Sequence, residues 1–183
     1  MRAEEAPLAP DYSFWLLPSL EHAPSLAAEI AALAPCFGTP MFFPHITIQG
    51  DLSLSLETLA SFLPQIAGGL GPLFLRVEAV RTSSERFRSL YLGFEESDAF
   101  LMLQERSRKL CGTAAGLSPF PHLSIAYGEP RSGRDKSEEA VRLSSLYLGT
   151  RLLFSRLALA VSSSRAPIES WFVVRELELG AGQ

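Results

Sequence analysis

Apolar positions along this chain switch repeatedly between the period of a strand and that of a helix, with Pro and Gly punctuating the changes. Residues 12–17 (YSFWLL) form an aromatic and aliphatic run halted at Pro18, which reads as a first strand. Residues 26–33 (LAAEIAAL) are helix formers ending before Pro35, after which Pro40 and Pro44 keep the link extended. Residues 45–48 predict a strand. Residues 54–66 predict a helix entered at Ser53 or Ser55 and stopped by Gly68 and Gly69. Two β-rich runs, 73–82 and 88–94, flank a polar turn at 83–86 and predict an antiparallel hairpin. A helix over 98–110 follows, capped by Ser97 or Asp98, with Arg106, Arg108 and Lys109 suited to its negative end and Gly112 closing it. A strand over 122–127, a helix over 136–148 and closing strands over 152–161 and 171–179 complete an α+β chain. Residues 1–10 read as a flexible leader and 11–183 as a single domain.

Composition narrows the classes. A chain of 183 residues, 47% hydrophobic and 20% charged, can bury a core of its own. Its net charge of -4 argues against affinity built on neutralising many nucleic-acid phosphates, so no extended nucleic-acid binding is expected. Two cysteines, Cys36 and Cys111, make neither a disulfide framework nor a CxxC spacing, which fits a reduced compartment. The acidic, proline-rich start lacks a signal-peptide pattern and no apolar run approaches a bilayer span. A cytoplasmic, monomeric protein with no membrane attachment is the simplest expectation.

One internal repeat stands out: Phe43-Pro44-His45-Ile46-Thr47-Ile48 against Phe120-Pro121-His122-Leu123-Ser124-Ile125. It uses two of the three histidines. On a strand, His45 and Thr47 share one face while Ile46 and Ile48 turn to the core, and the second copy repeats this parity. Brought together across a cleft, two histidines supply a general acid and a general base near neutral pH. Two hydroxyls supply donors for non-bridging phosphate oxygens. Zinc needs further Cys, His or carboxylate ligands at characteristic spacing, and neither motif has them nearby, so no metal or other cofactor is expected. His22, flanked by Glu21 and Ala23, reads as an ordinary surface residue, and the arginines at 76, 81, 86 and 88 as a solvated face. No P-loop and no G-x-S-x-G elbow occurs.

The two H-x-[ST]-hydrophobic motifs, the opening Tyr12-Ser13-Phe14-Trp15-Leu16-Leu17-Pro18, the strand through Tyr127 and the closing Glu169-Ser170-Trp171 together resemble the cyclic nucleotide phosphodiesterase family of the two-histidine phosphoesterase superfamily. The resemblance covers nearly the whole chain. It implies a bilobal fold in which two antiparallel sheets face a central cleft, with helices outside and pseudo-twofold symmetry. It implies hydrolysis of ADP-ribose 1'',2''-cyclic phosphate to the 1''-phosphate, and of nucleoside 2',3'-cyclic phosphates to 2'-phosphates. His45 and His122 carry over as catalytic acid and base, Thr47 and Ser124 as phosphate ligands, and Tyr127 and Trp15 as substrate-binding residues. Strict alternation from His122 puts Tyr127 on the wrong face, so a bend or bulge is required; Trp15 could equally be core. The rivals are an RNA-end phosphoesterase or 2'-5' RNA ligase-like enzyme of the same superfamily, and a nucleotide-binding module without turnover.

Overall fold

Strand β1 (Tyr12–Pro18) is buried at every position, which explains why its sequence shows no polar alternation. Phe14 and Leu16 join the main core, whereas Trp15 and Leu17 pack on the other face with Ala158 and Ala160. A strand covered on both faces reads as a continuous apolar run. The remaining elements in chain order are α1 (Ala23–Phe37), β2 (Ile46–Leu52), α2 (Leu56–Ala67), β3 (Leu73–Thr82), β4 (Leu90–Phe94), α3 (Asp98–Cys111), β5 (His122–Ala126), α4 (Lys136–Tyr147), β6 (Arg151–Val161) and β7 (Phe172–Glu178). This computed structural model describes residues 11–131 and 135–180; the leader expected over 1–10 lies outside them.

The strands are hydrogen-bonded in the order β1-β2-β5-β4-β3-β6-β7, all pairs antiparallel, and β6 also pairs with β1. Six strands therefore close a circuit, and β7 lies outside it. The two expected sheets are joined because β6 serves both halves. Its residues Arg151 to Phe154 pair with β3, and Arg156 to Val161 pair with β1 and β7. On the far side the halves meet at one pairing, Ile46 with Leu123. These two residues each follow a motif histidine, so the local twofold relation expected from the repeat runs between them.

Helix boundaries follow the caps. Ser55 and Ser97 accept from the backbone N–H groups of Thr58 and Phe100, and α3 ends at left-handed Gly112. Helix α1 is longer than its apolar core predicts. Pro24 sits in its first turn, where no N–H is needed, and Pro35 falls in the last turn before Gly38. Strand β4 starts at Leu90 because Arg86–Arg88 forms a 3-10 turn. Helices α1, α3 and α4 lie against β5, β2 and β3 respectively, covering Ile46, Ile48, Leu123 and Ile125. The opposite face is left for the site.

Candidate active site

Each motif histidine is held by the same local device. The carbonyl two residues upstream, at Phe43 or Phe120, lies 2.6 Å from His45 Nδ1 and 3.0 Å from His122 Nδ1. A carbonyl can only accept, so Nδ1 carries the hydrogen and, in the neutral ring, Nε2 carries the lone pair. The intervening prolines, Pro44 and Pro121, restrict the backbone that aims each carbonyl back at its ring. His45 also lies flat on Trp15, with ring centroids 3.8 Å apart and planes at 15°. His122 is instead bordered by Phe120 and Tyr91, and its Nδ1 is 3.4 Å from Ser118 Oγ.

Antiparallel pairing of Ile46 with Leu123 sets His45 across from Ser124 and Thr47 across from His122 in register. All four line one cavity of about 180 Å³. Tyr127 lines it too, and the break that its parity requires is present: Tyr91 pairs with Ser124 and Leu90 with Ala126, leaving Ile125 as the extra residue of a bulge. Trp15 is 1% exposed yet borders the cavity beneath His45, so it is both core and wall. Ser124 Oγ donates to the Phe87 carbonyl at 3.0 Å and also interacts with the Tyr127 hydroxyl.

Several walls escaped the sequence. Ser13 alternates with Trp15 on β1, and Phe87 comes from the 3-10 turn. Trp171, conspicuous in the closing motif, packs near Trp15, Phe87 and Tyr127. Asp51 is the one non-glycine residue with positive φ among the described residues, and its carboxylate accepts from Ser164 N and Oγ at 3.0 and 2.9 Å. The triple serine at 162–164 was the available signal for that corner. The loop after α3 reaches the cavity through Gly116, whose carbonyl accepts from Gly50 N at 2.8 Å. Buried Gln49 holds the same loop, donating to the carbonyls of Thr113 and Ala115 while Ser107 donates to its Oε1.

Burial pushes the His45 imidazole from 6.5 down to about 4, against the pull of the Phe43 carbonyl and with a smaller contribution from His122. Burial also lowers His122, opposed by the Phe120 carbonyl; Arg88 lowers it further and Glu85 raises it. Burial raises the Tyr127 phenol, which stays protonated. Both rings are therefore neutral at pH 7. Because the unfolded chain protonates His45 first as pH falls, stability is retained above 6.5 and declines between about 6.5 and 4, by roughly 3 kcal/mol in total. Urea midpoints at pH 7 and pH 4.5 should show this loss, and His45→Gln should flatten it. An equal slope in the variant would assign the loss to other groups.

His22 lies outside this site and is more than a surface residue: Leu153 N donates to its Nδ1 at 3.2 Å, tying α1 to β6. Cys36 and Cys111 are free thiols. Among the described residues no group of three His, Cys, Asp or Glu is placed to hold a metal ion, and no helix is long and apolar enough to cross a membrane.

No protein-family model matches the chain. The Arabidopsis thaliana protein named cyclic phosphodiesterase is 26% identical over 166 residues, covering 89% of this chain and 92% of that protein. Among solved structures, a Thermus thermophilus protein aligns with a TM-score of 0.61 at 16% identity, over 92% of this chain and 97% of its own. Escherichia coli LigT complexed with 3'-AMP aligns with a TM-score of 0.57 at 16% identity, over 93% of this chain and 99% of its own. These similarities bear out the resemblance to the two-histidine phosphoesterases and the α+β fold it implies.

Proposed function

We propose that this chain is a metal-independent cyclic phosphodiesterase. It opens ADP-ribose 1'',2''-cyclic phosphate to ADP-ribose 1''-phosphate, and nucleoside 2',3'-cyclic phosphates to 2'-phosphates. The observation that carries the reading is the pairing of Ile46 with Leu123, which gathers both H-x-[ST] motifs on one cavity. The Arabidopsis relative, named a cyclic phosphodiesterase, supports it.

One neutral histidine takes a proton from water through Nε2 as the water oxygen attacks phosphorus. The bond from phosphorus to one ribose oxygen breaks, and the other histidine, which has taken up a proton from solvent in the mildly acidic range where turnover peaks, gives that oxygen its proton. The two rings end with their proton exchanged and reset through solvent. Thr47 and Ser124 donate to the non-bridging oxygens as their charge grows, which requires Ser124 to turn its hydrogen away from Phe87. The stacked face of Trp15 favours a charged His45 when that form arises.

The test is turnover of 2',3'-cyclic AMP, of ADP-ribose 1'',2''-cyclic phosphate and of an oligonucleotide with a cyclic end, each with chelator present. Chelator-resistant hydrolysis of the small substrates to the named products is expected, with a bell-shaped kcat/KM profile whose two limbs both fall below 6.5. Preference for the oligonucleotide would move the assignment to RNA ends. Tight binding without turnover would leave a nucleotide-binding module.

A further inference from the structure

The catalytic cavity poses an electrostatic problem. Its substrates are anions, yet among the described residues its walls carry no Lys or Arg and one carboxylate, Asp51, while both histidines start neutral. A space of about 180 Å³ is also smaller than the ~300 Å³ at which sites for whole small ligands begin, so a nucleotide must project beyond it. Two cations flank the wall residue Phe87 on the 3-10 turn. Arg88 is committed to Glu85 at 2.6 Å. Arg86 is exposed and has no acidic partner among the described residues. Its guanidinium lies 5.3 Å from the centroid of Phe87, a ring that forms part of the cavity wall. Its backbone is fixed there, because the Arg86 carbonyl accepts from Gly128 N at 2.7 Å, just after Tyr127.

Resting on the cyclic phosphodiesterase reading, we infer that Arg86 binds a second phosphate group of the substrate, outside the cavity that holds the cyclic one. A guanidinium offers two parallel donors to phosphate oxygens and is lightly hydrated, which suits a rim position. The ring of Phe87 holds its plane from one side and leaves its edge to the ligand. The second phosphate belongs to a 5'-phosphate, to a diphosphate bridge or to the next phosphodiester of an oligonucleotide; these share the chemistry that Arg86 recognises.

The experiment compares kcat/KM for 2',3'-cyclic AMP with that for its 5'-phosphorylated form, for ADP-ribose 1'',2''-cyclic phosphate and for a dinucleotide with a cyclic end. Wild type, Arg86→Gln and Arg86→Lys are each measured at low and high salt. The wild type should prefer at least one substrate bearing a second phosphate. Arg86→Gln should cut that preference roughly tenfold, and Arg86→Lys should restore part of it. The substrate whose preference falls most identifies the source of the phosphate. A wild type without preference, or an Arg86→Gln variant that keeps it, overturns the assignment. Should the wild type hydrolyse none of them, it is the cyclic phosphodiesterase reading that fails. Arg86 is then judged by tryptophan-fluorescence titration with adenosine 2'-monophosphate and adenosine 2',5'-bisphosphate, where the same loss of preference supports it and equal affinities reject it.

Discussion

Alanine at either His45 or His122 should lower kcat for 2',3'-cyclic AMP by roughly 10²- to 10⁴-fold, the contribution of a positioned general acid or base. The double variant should fall little further, because the two groups act in one step and their losses do not multiply. Each variant must first be shown to fold, since His45 is 7% exposed and stacked on buried Trp15, and near-ultraviolet circular dichroism reads that packing directly. The same variants assign the roles. A 4-nitrophenyl phosphodiester expels a leaving group that needs no proton, so the variant lacking the acid recovers on it and the variant lacking the base does not. Wild-type turnover in both variants would remove the paired-histidine mechanism.

The largest structural effect is expected at Gly116. A Cβ there would lie 1.9 Å from the Gly50 carbonyl oxygen, a backbone atom with no room to retreat, and the residue holds φ at +77°. Gly116→Ala should therefore cost about 3 kcal/mol or more, combining the left-handed penalty of ~1–2 kcal/mol with overpacking of a similar size. Gly112→Ala is the matched control: φ is +68° and nothing lies within 4 Å, so the left-handed penalty alone applies. Urea midpoints at constant slope give both numbers. Because Gly50 and Gly116 border the cavity, turnover should fall with stability only in the first variant. Equal costs at the two positions would mean that the approach of the loop to β2 does not restrain it.

The strongest sequence signals were those with a local cause. Helices α2 and α3 begin at Ser55 and Ser97, two of the residues named as caps, because an N-cap hydroxyl satisfies backbone donors within three positions. The two motifs were legible because the same six-residue pattern occurs twice with the same parity. The cavity's other walls depend on long-range pairing. The resemblance brings β1 to the site through Trp15, but nothing near Phe87 in the chain announces that the turn after β3 meets the motif strands, and the place of the required bulge, at Ile125, becomes visible only when β4 is laid beside β5. The joining of two expected sheets into one circuit has the same origin, since β6 reads as a single strand whether it serves one half or both. Pro35 misleads for a different reason. It falls in the last turn of α1, where it removes one backbone donor without ending the helix before Phe37, and local propensity does not weigh that.

The closure of β1 onto β6 bears on how the chain is made. Ser13 bonds to Ser162, 149 positions later in the sequence, so one flank of the first strand stays unpaired until nearly all of the chain has been synthesised. At ~5–20 residues per second, translation leaves the apolar YSFWLL segment half-matched for on the order of ten seconds, during which β2 is its available partner. A ribosome stalled before β6 would display an aromatic strand edge of the kind that chaperones bind and that nascent chains use to aggregate.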